Sequence, residues 1–327
     1  LFAPPPPPPR QGGVPRRPPP WRAAPPRGGR PRPPPPRSRL LIVDDSAVIR
    51  RVLRETFERE TDFEVEVARD GTDALARIGS FRPDVVTLDV AMPGMDGLAV
   101  LRALPAPHGC AVVMVSSLTA EGARVTLEAL SLGAVDFIAK PSALAGADLN
   151  AIRAQLVAKV RVAARTRRVA PGPAAPPPLR PAVARLPVPP VRAAAGEPGG
   201  VLVRVSTGGP RALEGILPLP PAGVPWPVVV TQHMPAAFTG VLAQRLDGRC
   251  AVMVREAAEP TPLLAGTVLI AAGDRDLVLV RDGLRLLAKP VPVDATPWHP
   301  STDRLVRSAL DIVPAQRLIG VLLTGMG

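Results

Sequence analysis

Short apolar runs alternate with amphipathic stretches through the first half of the chain. Leu40–Val43 precedes Ser46–Glu58, Glu64–Ala68 precedes Thr72–Ile78, and Val85–Leu88 precedes Gly97–Leu104. Ala111–Val115 then precedes Ala120–Leu132, and Asp136–Ala139 precedes Asp148–Val162. Five strand–helix pairs in succession predict a parallel sheet covered by helices on both faces, an α/β fold. The rhythm resumes with a strand over Val201–Val205, a turn at Ser206-Thr207-Gly208-Gly209 and a helix opened by Pro210, where proline fits the first helical position. Val228–Thr231 is a further apolar strand, and Leu318–Thr324 another.

Composition divides the chain. Residues 1–39 hold 17 of the 46 prolines and nine arginines with no acidic residue, so residues 1–38 are expected to be a disordered, polyproline-like tail. A second such stretch carries seven arginines and one glutamate and reads as a basic, proline-rich linker over 161–199. Tail and linker together exceed the formal charge of +12, which leaves the rest of the sequence at −3. The high isoelectric point therefore belongs to the low-complexity segments, and a nucleic-acid-binding domain is not implied. Trp21, Trp226 and Trp298 are scattered, without the interleaving of aromatic and basic residues that a nucleic-acid platform needs.

The 327 residues and 46% hydrophobic content suffice for two domains with cores of their own. Cys110 and Cys250 stand alone, which fits a reducing compartment. With no run of 18 apolar residues and no signal-peptide core, membrane insertion is not expected and a cytoplasmic location is. Position 1 is Leu, and the strand Leu318–Thr324 stops three residues before the last, Gly327. Both ends are read as those of a fragment.

In an open parallel sheet the working site lies outside the carboxyl ends of the strands. Asp44-Asp45, Asp89, Ser116 and Lys140 each follow an apolar run, so they are expected to converge there. Three carboxylates brought together repel unless a cation shares them, and an all-oxygen set suits Mg2+. Asp89 is then the candidate nucleophile for a phosphoryl group, with Ser116 and Lys140 placed to hold its oxygens. Singly, Asp44 also reads as a helix cap and Asp89 as a loop residue.

In the second half Ser206 opens a helix whose free N–H groups can stabilise an oxyanion, and the following glycines let the backbone approach a substrate. Alone, this segment is equally compatible with an anion-binding loop or simple capping. Gln232-His233-Met234-Pro235 ends the next strand, so an imidazole can meet the Ser206 hydroxyl across neighbouring strand tips. That is the minimum of a nucleophilic serine, with a carboxylate expected to orient the base. His108, in a Pro/Gly-rich loop, and His299 are assigned simple loop roles, cleft lining being the alternative for His299. Asp274 and Asp276, bracketing Arg275, are read as hairpin-turn residues without a catalytic part.

Residues 39–160 resemble the response-regulator receiver family. The resemblance implies phosphorylation of Asp89 by a chemotaxis histidine kinase, Mg2+ held by Asp44, Asp45, Asp89 and the Ala91 carbonyl, a cis bond at Lys140-Pro141, and Phe137 as the switch aromatic. Residues 200–327 resemble the catalytic domain of the chemotaxis protein-glutamate methylesterases, the CheB family. That resemblance is carried by Ser206-Thr207-Gly208-Gly209-Pro210, Gln232-His233-Met234, Pro300-Ser301-Thr302-Asp303 and Leu323-Thr324-Gly325-Met326-Gly327. It implies a doubly wound parallel-sheet domain, without a cofactor of its own, that hydrolyses glutamate methyl esters of methylated chemoreceptors and deamidates receptor glutamines. Ser206 is by the same similarity the nucleophile, His233 the general base, and Thr207 and Met326 line the site.

The family's orienting aspartate lies two residues past the position of Gly327, so the catalytic domain is incomplete as written, and loss of such an acid can cost about 10⁴ in turnover. Arg204 and Val205 stand where glycine and alanine are usual. This departure carries the alternative reading, a catalytically impaired, phospho-responsive binding protein in a chemosensory pathway. A receiver-driven transcription factor ranks last, because the second half offers no basic helical output domain. In the leading reading the receiver masks the serine site, and phosphorylation of Asp89 shifts the interface to expose it.

Overall fold

Alternate side chains of the first strand, β1 (Ser38–Val43), leave in opposite directions: Leu40 and Ile42 enter one apolar cluster, Leu41 and Val43 another. A strand buried on both faces belongs in the middle of a covered parallel sheet, and β1 lies between β2 (Phe63–Ala68) and β3 (Val85–Asp89). With β4 (Ala111–Ser116) and β5 (Asp136–Ala139) the parallel order is β2-β1-β3-β4-β5. The computed structural model describes residues 37–105, 109–140, 149–166, 199–221, 223–296 and 298–324. The expectations for the tail, most of the linker, Pro141, His108, Met326 and Gly327 fall outside them.

Helices α1 (Ala47–Glu58) and α5 (Leu149–Thr166) cover one face, through Ile49, Leu53, Phe57, Leu156 and Val160. Helices α2 (Gly71–Phe81), α3 (Gly97–Ala103) and α4 (Ala120–Ser131) cover the other, through Ala74, Leu101 and Leu127. The starts of α1 to α4 are fixed locally, because Ser46, Asp70, Asp96 and Thr119 each accept a hydrogen bond from a first-turn N–H. Helix α5 runs past the receiver boundary expected at residue 160. Arg161 bonds Glu60 and Asp62, just ahead of β2, so the expected linker start lies inside this helix.

The second half is doubly wound as expected. Strands β6 (Gly200–Val205), β7 (Val228–Gln232), β8 (Met253–Ala257), β10 (Thr267–Ala271) and β13 (Leu318–Leu322) form a parallel sheet in the order β13-β6-β7-β10-β8. Helices α6 (Gly209–Ile216) and α7 (Ala236–Asp247) pack on one face, with Leu213, Phe238 and Leu242 against Val203, Val205 and Val230. Helix α8 (Thr302–Ile312) covers the other, together with a small antiparallel sheet of β9 (Thr261–Pro262), β11 (Asp276–Asp282) and β12 (Arg285–Val291). The hairpin turn lies at Gly283-Leu284 between β11 and β12, with Gly283 at φ 56°. The turn expected around Arg275 is present, with the Arg275 N–H donating to the Ala272 carbonyl, but it connects two different sheets rather than a hairpin, and Asp276 is the first residue of β11.

One apolar cluster crosses the seam between the halves. Leu127, Leu130 and Phe137 of the receiver share it with Phe238, Leu242 and Leu246 of the second domain. Beside it Glu214 of α6 accepts from Ser131 at the end of α4 (3.1 Å) and pairs with Arg245 (2.6 Å) and Arg249 (2.8 Å).

Candidate functional site

The sheet ends do bring the acidic residues together. Carboxylate oxygens of Asp44, Asp45 and Asp89 lie within 4.8 Å of one another, and Lys140 from the end of β5 reaches Asp89 at 2.5 Å and Asp44 at 3.3 Å. Burial pushes the Asp89 carboxyl up to about 6; Asp44 adds to the rise, and Lys140 and the Ala91 N–H oppose it. Asp44 is raised as well, chiefly by burial. Desolvation alone would lower Lys140, but its two carboxylate partners outweigh it and its pKa rises.

Asp44 Oδ2 is buried and near Lys140, yet no hydrogen bond of acceptable geometry reaches it. A buried carboxylate oxygen held by an ion pair but by no hydrogen bond, beside two other carboxylates, belongs to a donor set that fits Mg2+. The Ala91 N–H donates to Asp89 Oδ1 at 3.2 Å. Ser116, buried at the end of β4, turns its hydroxyl to the Ser117 carbonyl at 3.3 Å rather than to Asp89.

The second candidate site is built at the ends of β6 and β7. These strands run parallel with Val205 opposite Gln232, so the next positions, Ser206 and His233, leave adjacent strand tips, and both line one cavity. The His233 N–H continues the ladder to the Val205 carbonyl at 3.4 Å. Gln232 clamps both neighbours, donating from Nε2 to the Ser206 carbonyl (3.1 Å) and the His233 carbonyl (3.2 Å). Gly208, at φ 74°, makes a turn that L side chains resist, and a Cβ on Gly209 would collide with the Gln232 side-chain carbonyl. Among the described residues no hydrogen bond joins Ser206 Oγ to the His233 ring. Thr207 Oγ1, next to Ser206, is buried without a hydrogen-bond partner.

The His233 imidazole stacks on Trp298, with centroids 5.9 Å apart. Burial drives its pKa down to about 4, helped by the charges of Arg204 and Lys159 and opposed by the Pro300 backbone. Arg204 follows the alternation of β6 onto the strand face of Ser206, opposite Thr231. This cation, singled out from sequence as a departure, thus acts on the imidazole electrostatically.

Ser206 is 3% exposed. It opens on a cavity of about 310 Å³ whose walls come from both halves: His233, Trp298 and His299 on one side, Phe137 and Lys159 of the receiver on the other. Lys159 is held there by the Phe137 carbonyl at 2.9 Å and Asp136 at 3.3 Å.

Two assignments change. His299 is not a simple loop residue: it lines this cavity, and its Nδ1 lies 2.8 Å from Asp276 Oδ1. Asp276 is not a turn residue but a fully buried carboxylate, which also takes the Ser301 N–H at 2.6 Å and Arg304 at 2.7 Å. Twenty-three residues and a β-hairpin separate the pair in sequence, and no spacing rule joins them. The one available signal was an acid heading the apolar strand Asp276–Asp282, where a buried carboxylate demands a partner.

A receiver carrying a partly buried acidic cluster, docked over a strand-end serine and histidine, defines a signal-responsive enzyme. Residues 40–149 match the family model of the response regulator receiver domain, and residues 201–327 that of the CheB methylesterase. The chain belongs to the family of protein-glutamate methylesterases/protein-glutamine glutaminases. It is 49% identical over 296 residues to protein-glutamate methylesterase/protein-glutamine glutaminase 3 of Rhodospirillum rubrum, an alignment covering 86% of this chain and 79% of that protein. It is 46% identical to protein-glutamate methylesterase/protein-glutamine glutaminase 2 of Rhodopseudomonas palustris, over 86% and 80% of the two chains. Among solved structures, the CheB methylesterase catalytic domain of Thermotoga maritima is 36% identical, covering 40% of this chain and 70% of that one at a TM-score of 0.39. Among the described residues no helix is long and apolar enough to cross a membrane.

Proposed function

We propose that this protein is a phosphorylation-gated hydrolase that removes methyl groups from glutamate methyl esters of chemoreceptors, releasing methanol, and deamidates receptor glutamines. The observation that carries the reading is the register of β6 and β7, which sets Ser206 against His233 under a receiver wall. Ser206 Oγ attacks the ester carbonyl while the neutral His233 imidazole takes its proton, then returns it to the departing methoxy oxygen. The unpartnered Thr207 hydroxyl offers the carbonyl oxygen a donor, and the N-terminus of α6 a favourable dipole. Water entering on the vacated side hydrolyses the acyl-serine, again through His233.

Asp89 is the acceptor of a phosphoryl group from a chemotaxis histidine kinase, with Asp44, Asp45 and Asp89 holding Mg2+. A cation held by these three carboxylates would offset their crowded negative charge and that of the arriving phosphoryl group. Lys140 exchanges its contact with Asp89 for a phosphoryl oxygen, and the Ser116 hydroxyl turns from the Ser117 carbonyl to another. Lys140 closes the strand that carries Phe137, so this exchange bears directly on the seam.

The test measures methanol release from methylated chemoreceptors by the protein at the full length its gene encodes, with and without a small-molecule phosphodonor. Release that rises with the donor and is lost in Ser206→Ala is expected. Absence of release under both conditions overturns the reading.

A further inference from the structure

His299, backed by the buried Asp276, faces the same cavity as Ser206 and His233, yet ester hydrolysis as described makes no use of it. Its construction fixes the chemistry of one nitrogen. Asp276 is 0% exposed and accepts from the Ser301 N–H, from Arg304 and from His299 Nδ1. Burial alone would raise its pKa, but these hydrogen bonds prevail and hold it below the usual carboxylate range. An ionised carboxylate has no proton to give, so Nδ1 of His299 is the donor, and in the neutral ring Nε2 is left as an acceptor. Asp294 stands nearby, but Arg304 lies against both aspartates and fills the role a metal ion would take.

His299 lines the same cavity as Ser206, His233 and Trp298, so a side chain that reaches Ser206 enters a space that this imidazole borders. Trp298, stacked on His233, joins the two imidazoles through adjacent backbone.

The two substrate groups differ in what they present to such an acceptor. A glutamine amide carries two N–H donors on its leaving nitrogen, whereas a methyl ester carries none on its leaving oxygen. We propose that His299, oriented by Asp276, is a specificity-determining residue that accepts an N–H of the glutamine side-chain amide and so serves deamidation rather than ester hydrolysis. This deepens the function proposed above and rests on it.

In deamidation Ser206 Oγ bonds to the amide carbon as its proton passes to His233. The nitrogen lone pair then takes that proton from the imidazolium, the C–N bond breaks with its electron pair going to nitrogen, and ammonia leaves. An N–H held by His299 Nε2 keeps the nitrogen lone pair turned toward the imidazolium that must protonate it. Asp276 acts through His299 and is a positioning residue.

The experiment follows methanol release from methylated receptor and ammonia release from glutamine-bearing receptor, in parallel, using the phosphodonor-treated full-length protein. His299→Phe is expected to lower ammonia release about tenfold or more while methanol release changes less than about threefold. His299→Gln, which keeps an acceptor oxygen, restores part of the loss, and Asp276→Asn reproduces the selective defect. Retained methanol release is the internal check on folding. Parallel loss of both activities in His299→Phe and His299→Gln assigns the pair a structural role and overturns the inference, as does no change in either. Wild-type release of methanol without ammonia overturns the inference alone, whereas release of neither overturns the function on which it rests.

Discussion

Phe137 of β5 and Phe238 of α7 stack across the seam with centroids 4.3 Å apart and planes inclined by 19°. Both rings are almost fully buried, and Phe137 lies three residues before Lys140, the partner of Asp89. The stack ties the acidic end of the receiver to the helix that follows His233.

Replacing either ring by leucine keeps the apolar surface and removes the stacking, worth about 0.5–1.5 kcal/mol beyond area. Phe137→Leu and Phe238→Leu are expected to raise methanol release by the unphosphorylated protein about two- to tenfold, with the phosphorylated rate little changed. Assays with and without phosphodonor measure the shrinking ratio.

Glu214 holds two arginines and a serine from the other domain while only 11% exposed. Glu214→Ala leaves Arg245 and Arg249 facing each other without an anion, and is expected to cost about 1–3 kcal/mol. Urea titration of the midpoint checks this. Ser131→Ala, which leaves both ion pairs, should cost less.

The acidic cluster is destabilised by its own charge at neutral pH. Mg2+ is therefore expected to raise the melting temperature and EDTA to cancel the rise, with Asp44→Asn losing most of the response. Asp89→Asn should keep basal methanol release and lose stimulation by phosphodonor, since its amide cannot accept a phosphoryl group.

His233 titrates far below an ordinary histidine, at about 4. Between about 6.5 and 4 the unfolded chain binds a proton here that the folded protein does not. Its contribution to stability is thus complete above 6.5 and is lost as pH falls through that window. NMR titration of the ring should give a midpoint well below 6.5, rising in Arg204→Gln. A midpoint unmoved by that substitution would show that Arg204 has no part in the shift.

Much of this was legible in the sequence because parallel sheets place function at strand ends. Apolar runs ending in Asp44, Asp89, Ser116, Lys140, Ser206 and His233 mark those ends directly, and the structure brings the residues of each sheet together there. What sequence could not supply was distance through space. Asp276 and His299 meet only because a hairpin folds back between them, and α5 outlasts the expected boundary because Arg161 finds acids ahead of β2. Ser116 and Lys140 were placed correctly on strand ends, but which way a hydroxyl turns depends on neighbours that periodicity does not encode.

The apolar cluster shared by the two halves means that exposing Ser206 to a bulky receptor wets hydrocarbon instead of merely sliding polar surfaces. Such a latch has the thermal behaviour of a protein interior. Its hold weakens on cooling, so the idle enzyme leaks more, relative to its stimulated rate, in the cold than in warmth.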